Sequence, residues 1–189
     1  PLISLRHWLL VASGALALLA AAAVAAGIAP AETLAKLAFA AATGLWISLM
    51  LPSVSQVLVI AALIIVVDIY SVFRGPTKMI VESGGPVIDY LTIGLPAFGA
   101  PAAQRIGISD FIFFAIFIGC ALSFRLRRTA TALAMTASFM ATMVISSRME
   151  AGMPALPLLS VAFLAVNADL LYRRFLEEPD ERRRRSEGC

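Results

Sequence analysis

Residues 57–73 read VLVIAALIIVVDIYSVF, an apolar run that is interrupted by one carboxylate, Asp68. Residues 106–124, IGISDFIFFAIFIGCALSF, repeat this pattern with Asp110. Each run has about the 20 residues that an α-helix needs to cross a bilayer. A charged side chain inside such a span costs about 2.5–3.5 kcal/mol on insertion scales. Both aspartates are therefore candidate functional residues rather than ordinary lipid-facing positions.

The composition of the whole chain is typical of a helical membrane protein. Of its 189 residues, 60% are hydrophobic and 14% are charged, which is too little charge for the surface of a soluble domain. The formal net charge of +3 comes from arginines between the spans and at the C-terminus, so no nucleic-acid partner is expected. Cys120 and Cys189 predict no disulfide framework. His7 is the only histidine, and neither a metal site nor another cofactor is expected.

The hydropathy pattern predicts an all-α bundle of about six transmembrane helices that form a single domain over residues 1–172. The predicted spans cover residues 8–29, 33–51, 53–73, 106–124, 129–147 and 153–172. Glycine and proline break the connection 74–105, which is expected to hold a short interfacial helix and a loop. Residues 173–189 are highly charged and predict a disordered tail.

The distribution of basic residues predicts an orientation for an integral, multi-pass membrane protein. With six alternating spans, ten lysines and arginines lie on the side of both chain ends and five on the other side. The positive-inside rule then places both ends in the cytoplasm and the connection 74–105 outside. Lys36, near the start of the second span, is expected to extend its ammonium group to the membrane interface.

The two aspartates are predicted to lie at the same depth in the membrane. Asp68 precedes Arg74 by six residues, and Asp110 follows Arg105 by five. At ~1.5 Å per residue, both lie roughly 8–9 Å from one membrane face. Consecutive antiparallel spans allow the two side chains to face each other. The sixth span starts from this same face with MPALP at residues 153–157, so three unusual features are expected to converge.

Two facing carboxylates in a low-dielectric site cannot both ionise at low cost, so they share one proton and supply one acid and one base. The base draws a proton from a water molecule, which attacks a peptide carbonyl. The acid protonates the carbonyl oxygen and later assists the leaving amine. This is the chemistry of aspartyl proteases, and the sequence leaves open which aspartate holds the proton.

Three stretches resemble the motifs of the presenilin and signal peptide peptidase family of intramembrane aspartyl proteases. They are Asp68 in VVDIYSVFRGPTKMIVES, GISD at 107–110 followed by FIFFAIF, and PALP at 154–157. The family motifs are Tyr-Asp, Gly-x-Gly-Asp and Pro-Ala-Leu, in the same order, and the segment after Asp68 is similar to presenilin in particular. This chain departs at two positions, with Val67 in place of the tyrosine and Ser109 in place of the second glycine.

The resemblance covers residues 53–172 and implies that the six spans match the last six of the nine spans of the family fold. It implies that the substrates are transmembrane helices of other proteins within the lipid bilayer, and that Asp68 and Asp110 are the catalytic pair. The residues expected to bind substrate or shape the active site are Tyr70, Gly107, Ser109, Pro154, Ala155 and Leu156.

A transmembrane helix must unwind locally before a protease can reach its peptide bonds, because its backbone hydrogen bonds are closed. The apolar, breaker-rich connection 74–105 is hypothesised to pair with the unwound substrate as an added strand. Deleting residues 90–98 is then expected to lower turnover while leaving the fold intact.

Other functions remain open from the sequence. The same acidic pair suits a proton- or ion-coupled membrane transporter. A third alternative is an inactive relative that only binds membrane helices. A homo-oligomer is also compatible with the sequence.

Overall fold

The structure is a computed structural model that describes residues 2–74, 90–95, 104–146 and 155–187. Pro154 and most of the connection 74–105 lie outside these residues. The described part consists of six helices and one pair of strands. In chain order they are α1 (Leu2–Ala26), α2 (Ala29–Ser48), α3 (Val54–Arg74), β1 (Thr92–Leu95), β2 (Gln104–Gly107), α4 (Ile108–Ser123), α5 (Arg128–Ser146) and α6 (Ala155–Glu187).

Four of the described helices are long and apolar enough to cross a membrane. They contain the segments Leu5–Ala26, Val54–Ser71, Arg128–Ser146 and Ala155–Glu177. The prediction of a mostly helical fold with several helices able to cross a membrane is confirmed at this level. The other two helices are α2, which carries Glu32 and Lys36, and α4, which is apolar but only 16 residues long. The count of six spans therefore stays a prediction.

The C-terminal segment is helical where the sequence predicted disorder. α6 extends to Glu187, whereas the sequence predicted a disordered tail over residues 173–189.

α2 and α4 pack side by side and run in the same direction. The buried residues of α2 recur at every fourth position, and four of them are Lys36, Ala40, Gly44 and Ser48. A Cβ atom built on Gly44 would lie 2.5 Å from the Cβ of Ala115. One built on Gly119 would lie 2.5 Å from the Cβ of Ser48. These small residues allow the two backbones to approach closely.

Gly44→Ala is expected to destabilise the protein, because the new methyl group would also lie 2.5 Å from the carbonyl oxygen of Ile112. Backbone atoms cannot move aside without separating α2 from α4, and overpacking of this kind costs about 1–3 kcal/mol. Gly14→Ala is the matched control, since a Cβ on Gly14 meets nothing within 4 Å. Thermal unfolding in detergent is the measurement, and equal midpoints for the two variants would contradict the close packing.

α6 packs against α3, α4 and α5 and joins them into one core. Phe163 of α6 stacks on Phe117 of α4 with ring centroids 4.6 Å apart. Asn167 is fully buried, and its amide donates hydrogen bonds to Thr131 Oγ1 at 2.8 Å and to the Phe163 carbonyl oxygen at 2.9 Å. Its Oδ1 accepts a bond from the Arg127 N–H at 3.2 Å. The position of α6 is thus fixed by polar contacts as well as by apolar packing.

β1 and β2 form an antiparallel strand pair directly before α4. Thr92 pairs with Gly107 and Ile93 pairs with Ile106. Both isoleucines are buried, and apolar cross-strand pairs of this kind stabilise a sheet. The sequence predicted a short helix and a loop in this connection and did not predict the strands.

Candidate functional site

Asp68 continues the buried stripe of α3. The buried apolar residues of this helix are spaced by three or four positions and are Val54, Val57, Ala61 and Ile64. Asp68 occupies the next position in the same spacing, so it lies on the same face of the helix. α3 packs against α6, and the Asp68 carboxylate is therefore directed toward α6.

The first turn of α6 binds the Asp68 carboxylate. The N–H of Leu156, the second residue of α6, donates a hydrogen bond to Asp68 Oδ2 at 3.2 Å. The first N–H groups of a helix have no partner within the helix, and its dipole favours negative charge at this end. Leu156 is 6% exposed and Ala155 is half-buried. The segment predicted to shape the site thus contacts the first aspartate, although Pro154 lies outside the described residues.

Asp110 lies in the first turn of α4 and is bound by the residues just before it. Its carboxylate accepts hydrogen bonds from the Ser109 hydroxyl and the Gly107 N–H. Gly107 is both the last residue of β2 and the N-cap of α4. A Cβ atom at Gly107 would lie 3.1 Å from Ser109 Oγ and 3.6 Å from Asp110 Oδ2. The glycine therefore leaves room for the polar atoms around the carboxylate.

The two carboxylates are close enough to repel each other. Asp68 is the charged group that acts on Asp110, and both aspartates are half-buried. Restricted contact with solvent strengthens the interaction between them. The structure thus brings together the two predicted acids, together with Gly107, Ser109 and Leu156.

Tyr70 is a predicted site residue that the structure does not bring to the pair. It follows Asp68 by two residues, which is about 200° around a helix. Its side chain is 63% exposed. Tyr70 therefore points away from the two carboxylates. The residue directly before Asp68 is the exposed Val67, whose side chain has no hydrogen-bond donor.

Lys36 is a residue near the site whose contacts the sequence did not reveal. Its side chain was expected to reach the membrane interface, but it is only 1% exposed. The ammonium group pairs with the Glu32 carboxylate and donates to the carbonyl oxygen of Thr92 at 2.8 Å. The bond from Lys36 on α2 to Thr92 on β1 joins residues 56 positions apart. Helical periodicity is a local pattern, so it could not predict this bond. The four-residue spacing with Ala40 and Gly44 was the available indication that Lys36 is buried.

The described fold is mostly helical, and four of its helices are long and apolar enough to cross a membrane. In the site, Asp68 and Asp110 interact beside the starts of α4 and α6. No protein-family model, curated protein or solved structure matches the chain. Within residues 2–74, 90–95, 104–146 and 155–187, no group of three or more histidine, cysteine, aspartate or glutamate residues is arranged to hold a metal ion.

Proposed function

We propose that the protein is an intramembrane aspartyl endopeptidase of the presenilin and signal peptide peptidase type, which cleaves peptide bonds within transmembrane helices. One observation carries the proposal: Asp68 accepts the Leu156 N–H bond and also interacts with Asp110. Three segments that are distant in sequence, and that each resemble a motif of this family, therefore meet at one place.

In the proposed reaction, the two carboxylates divide the acid and base roles. The ionised carboxylate takes a proton from a water molecule as the water oxygen attacks the carbonyl carbon of the substrate. The protonated carboxylate gives its proton to the carbonyl oxygen. The carboxyl group that took the proton from water then gives it to the amide nitrogen, and the C–N bond breaks. The other carboxylate takes back a hydroxyl proton from the intermediate, which leaves a carboxyl group and an amine and restores the pair. The donors at Leu156, Ser109 and Gly107 orient the two carboxylates for these transfers.

The strand pair supports the proposal that the substrate binds in an extended form. β2 ends at Gly107, three residues before Asp110. Strands at the edge of a sheet have unpaired N–H and C=O groups that bind an extended peptide. A substrate segment that unwinds and adds to this pair would have its backbone beside the carboxylates.

Deleting residues 90–98 is expected to lower the turnover of a reporter helix about tenfold or more, because β1 and its pairing with β2 are removed. The helical fold is expected to remain, since the core lies between α3, α4, α5 and α6. Circular dichroism checks the helix content, and mass spectrometry of the products measures turnover. Unchanged turnover in a folded variant would contradict the added-strand hypothesis.

The proposed arrangement in the membrane has six spans and both chain ends in the cytoplasm. It is supported by the parallel packing of α2 and α4, because the second and fourth of six alternating spans must run in the same direction. In this arrangement α4 and the strand pair before it complete one span, and the aspartates lie toward the outer face.

The test of the proposed function is cleavage of a reporter transmembrane helix by the purified chain, in detergent and in liposomes. Mass spectrometry should find two products that together account for the reporter, cut within its apolar segment. A hydroxyethylene peptide isostere, which mimics the tetrahedral intermediate, should block the reaction. Solute or proton flux without cleavage would favour the transporter instead, and binding of the reporter without cleavage would favour an inactive relative.

A further inference from the structure

Lys36 is the most completely buried charged residue in the described part of the chain. The proposed reaction does not use it. At 1% exposure, its ammonium group has lost nearly all contact with water, and a buried cation is costly unless it is paired. The pairing is provided by Glu32, four residues earlier on α2, and by the carbonyl oxygen of Thr92 on β1. The second of these bonds ties a helix of the bundle to the strand pair.

The packing of α2 places Lys36 level with the start of α4. Gly44 lies against Ala115, and Ser48 lies against Gly119, so matching positions differ by 71 residues. Since the helices run in parallel, the same offset pairs Lys36 with Gly107. Thr92, whose carbonyl binds the ammonium group, is also the cross-strand partner of Gly107.

We propose that Lys36 is a positioning residue for the proposed protease: it anchors the strand pair to α2, so that Gly107 and the start of α4 hold Asp110 beside Asp68. The linkage has three steps. Lys36 binds Thr92, Thr92 pairs with Gly107, and Gly107 donates its N–H to the Asp110 carboxylate.

The alternative role for Lys36 is a purely structural one, in which the cation only adds to the stability of α2. The two roles predict different measurable effects when the cation is removed. A positioning residue affects the strand pair and the catalytic rate constant of correctly folded molecules. A purely structural residue changes the amount of folded protein and leaves the folded molecules fully active.

The experiment compares the full-length chain with Lys36→Met and with the double variant Glu32→Gln/Lys36→Met. Methionine approximates the length of the lysine side chain without its charge, and the double variant leaves no unpaired carboxylate beside it. Leu34→Met, at an exposed position of α2, is the control. Hydrogen exchange is measured over residues 90–95 and 104–110, with α5 as the internal reference. Cleavage rates of the reporter are normalised to active sites titrated with the hydroxyethylene isostere.

Both variants are expected to raise exchange in the strand pair by about tenfold or more, with α5 unchanged. The kcat per titrated site is expected to fall about ten- to hundredfold, because small displacements of a catalytic group have effects of this size, while KM stays within about threefold. Unchanged exchange in the strands would overturn the proposal, as would faster exchange in all helices alike. A rise in KM at constant kcat would also overturn it, in favour of a role in substrate binding.

This inference rests on the proposed function only for its kinetic measurement. If the unmodified chain cleaves no reporter, the proposed function fails, while the exchange measurement still decides whether Lys36 anchors the strand pair. If the unmodified chain cleaves and the Lys36 variants match it in kcat and exchange, the positioning role fails and the protease remains.

Discussion

Replacing Asp68 or Asp110 with asparagine is expected to lower the kcat for a reporter helix by about 10²–10⁴-fold, the range that general acid–base catalysis contributes. Asparagine keeps the size of the side chain and can still accept the Leu156 or Gly107 N–H bond. It can neither take a proton from water nor donate an acidic proton, so the loss falls on the chemical step. KM is expected to change little, because the contacts that bind the substrate backbone remain.

The same variants are expected to keep or raise the thermal unfolding midpoint. Two carboxylates that act on each other in this way cannot both ionise without a cost, and a neutral amide in place of either one removes that cost. Groups at catalytic sites are often placed at a cost in stability that substitution relieves. A stable but inactive variant would therefore separate the catalytic role from a structural one.

Asp169→Asn is the matched control for these variants. Asp169 lies in α6, within the apolar segment Ala155–Glu177, but it is exposed and pairs with Arg127 at 2.8 Å. An exposed ion pair contributes at most about 1 kcal/mol, so this variant should cleave the reporter at the unmodified rate. Full activity in either Asp68→Asn or Asp110→Asn would contradict the assignment of the pair.

The position of the two acids is the part of the site that sequence reasoning predicts best. A carboxylate in an apolar run stands out because of its cost in lipid, and counting from Arg74 and Arg105 predicts a common depth. The spacing of the buried residues of α3 also shows why Asp68 lies on a packed face. These patterns are local in the sequence, so they can be recognised without knowledge of the tertiary contacts.

The partners of the acids are less accessible from sequence. β1 and β2 have four residues each, which is too short for alternation to give a clear signal, and Gly94 and Gly107 weaken it further. The bond from Lys36 to Thr92 depends on the packing of α2 against α4.

Leu156→Pro is expected to lower kcat by about 10- to 10²-fold, because it removes the N–H group that donates to Asp68. Proline is tolerated in the first turn of a helix, where its fixed φ is already suitable, so α6 is expected to start as before. The lost bond has a carboxylate as its acceptor, and bonds of this type are among the stronger ones. Without it, the Asp68 carboxylate is free to rotate away from the geometry that the reaction needs.

Leu156→Ala is the control for the proline variant. Both substitutions lose apolar contacts of a residue that is 6% exposed, and both are expected to lower stability, but only proline removes the N–H donor. The ratio of their kcat values per titrated site therefore isolates the bond to Asp68 from the packing of the side chain. If the two variants cleave the reporter equally fast, the first turn of α6 contributes packing alone, and its proposed role in orienting the catalytic pair is wrong.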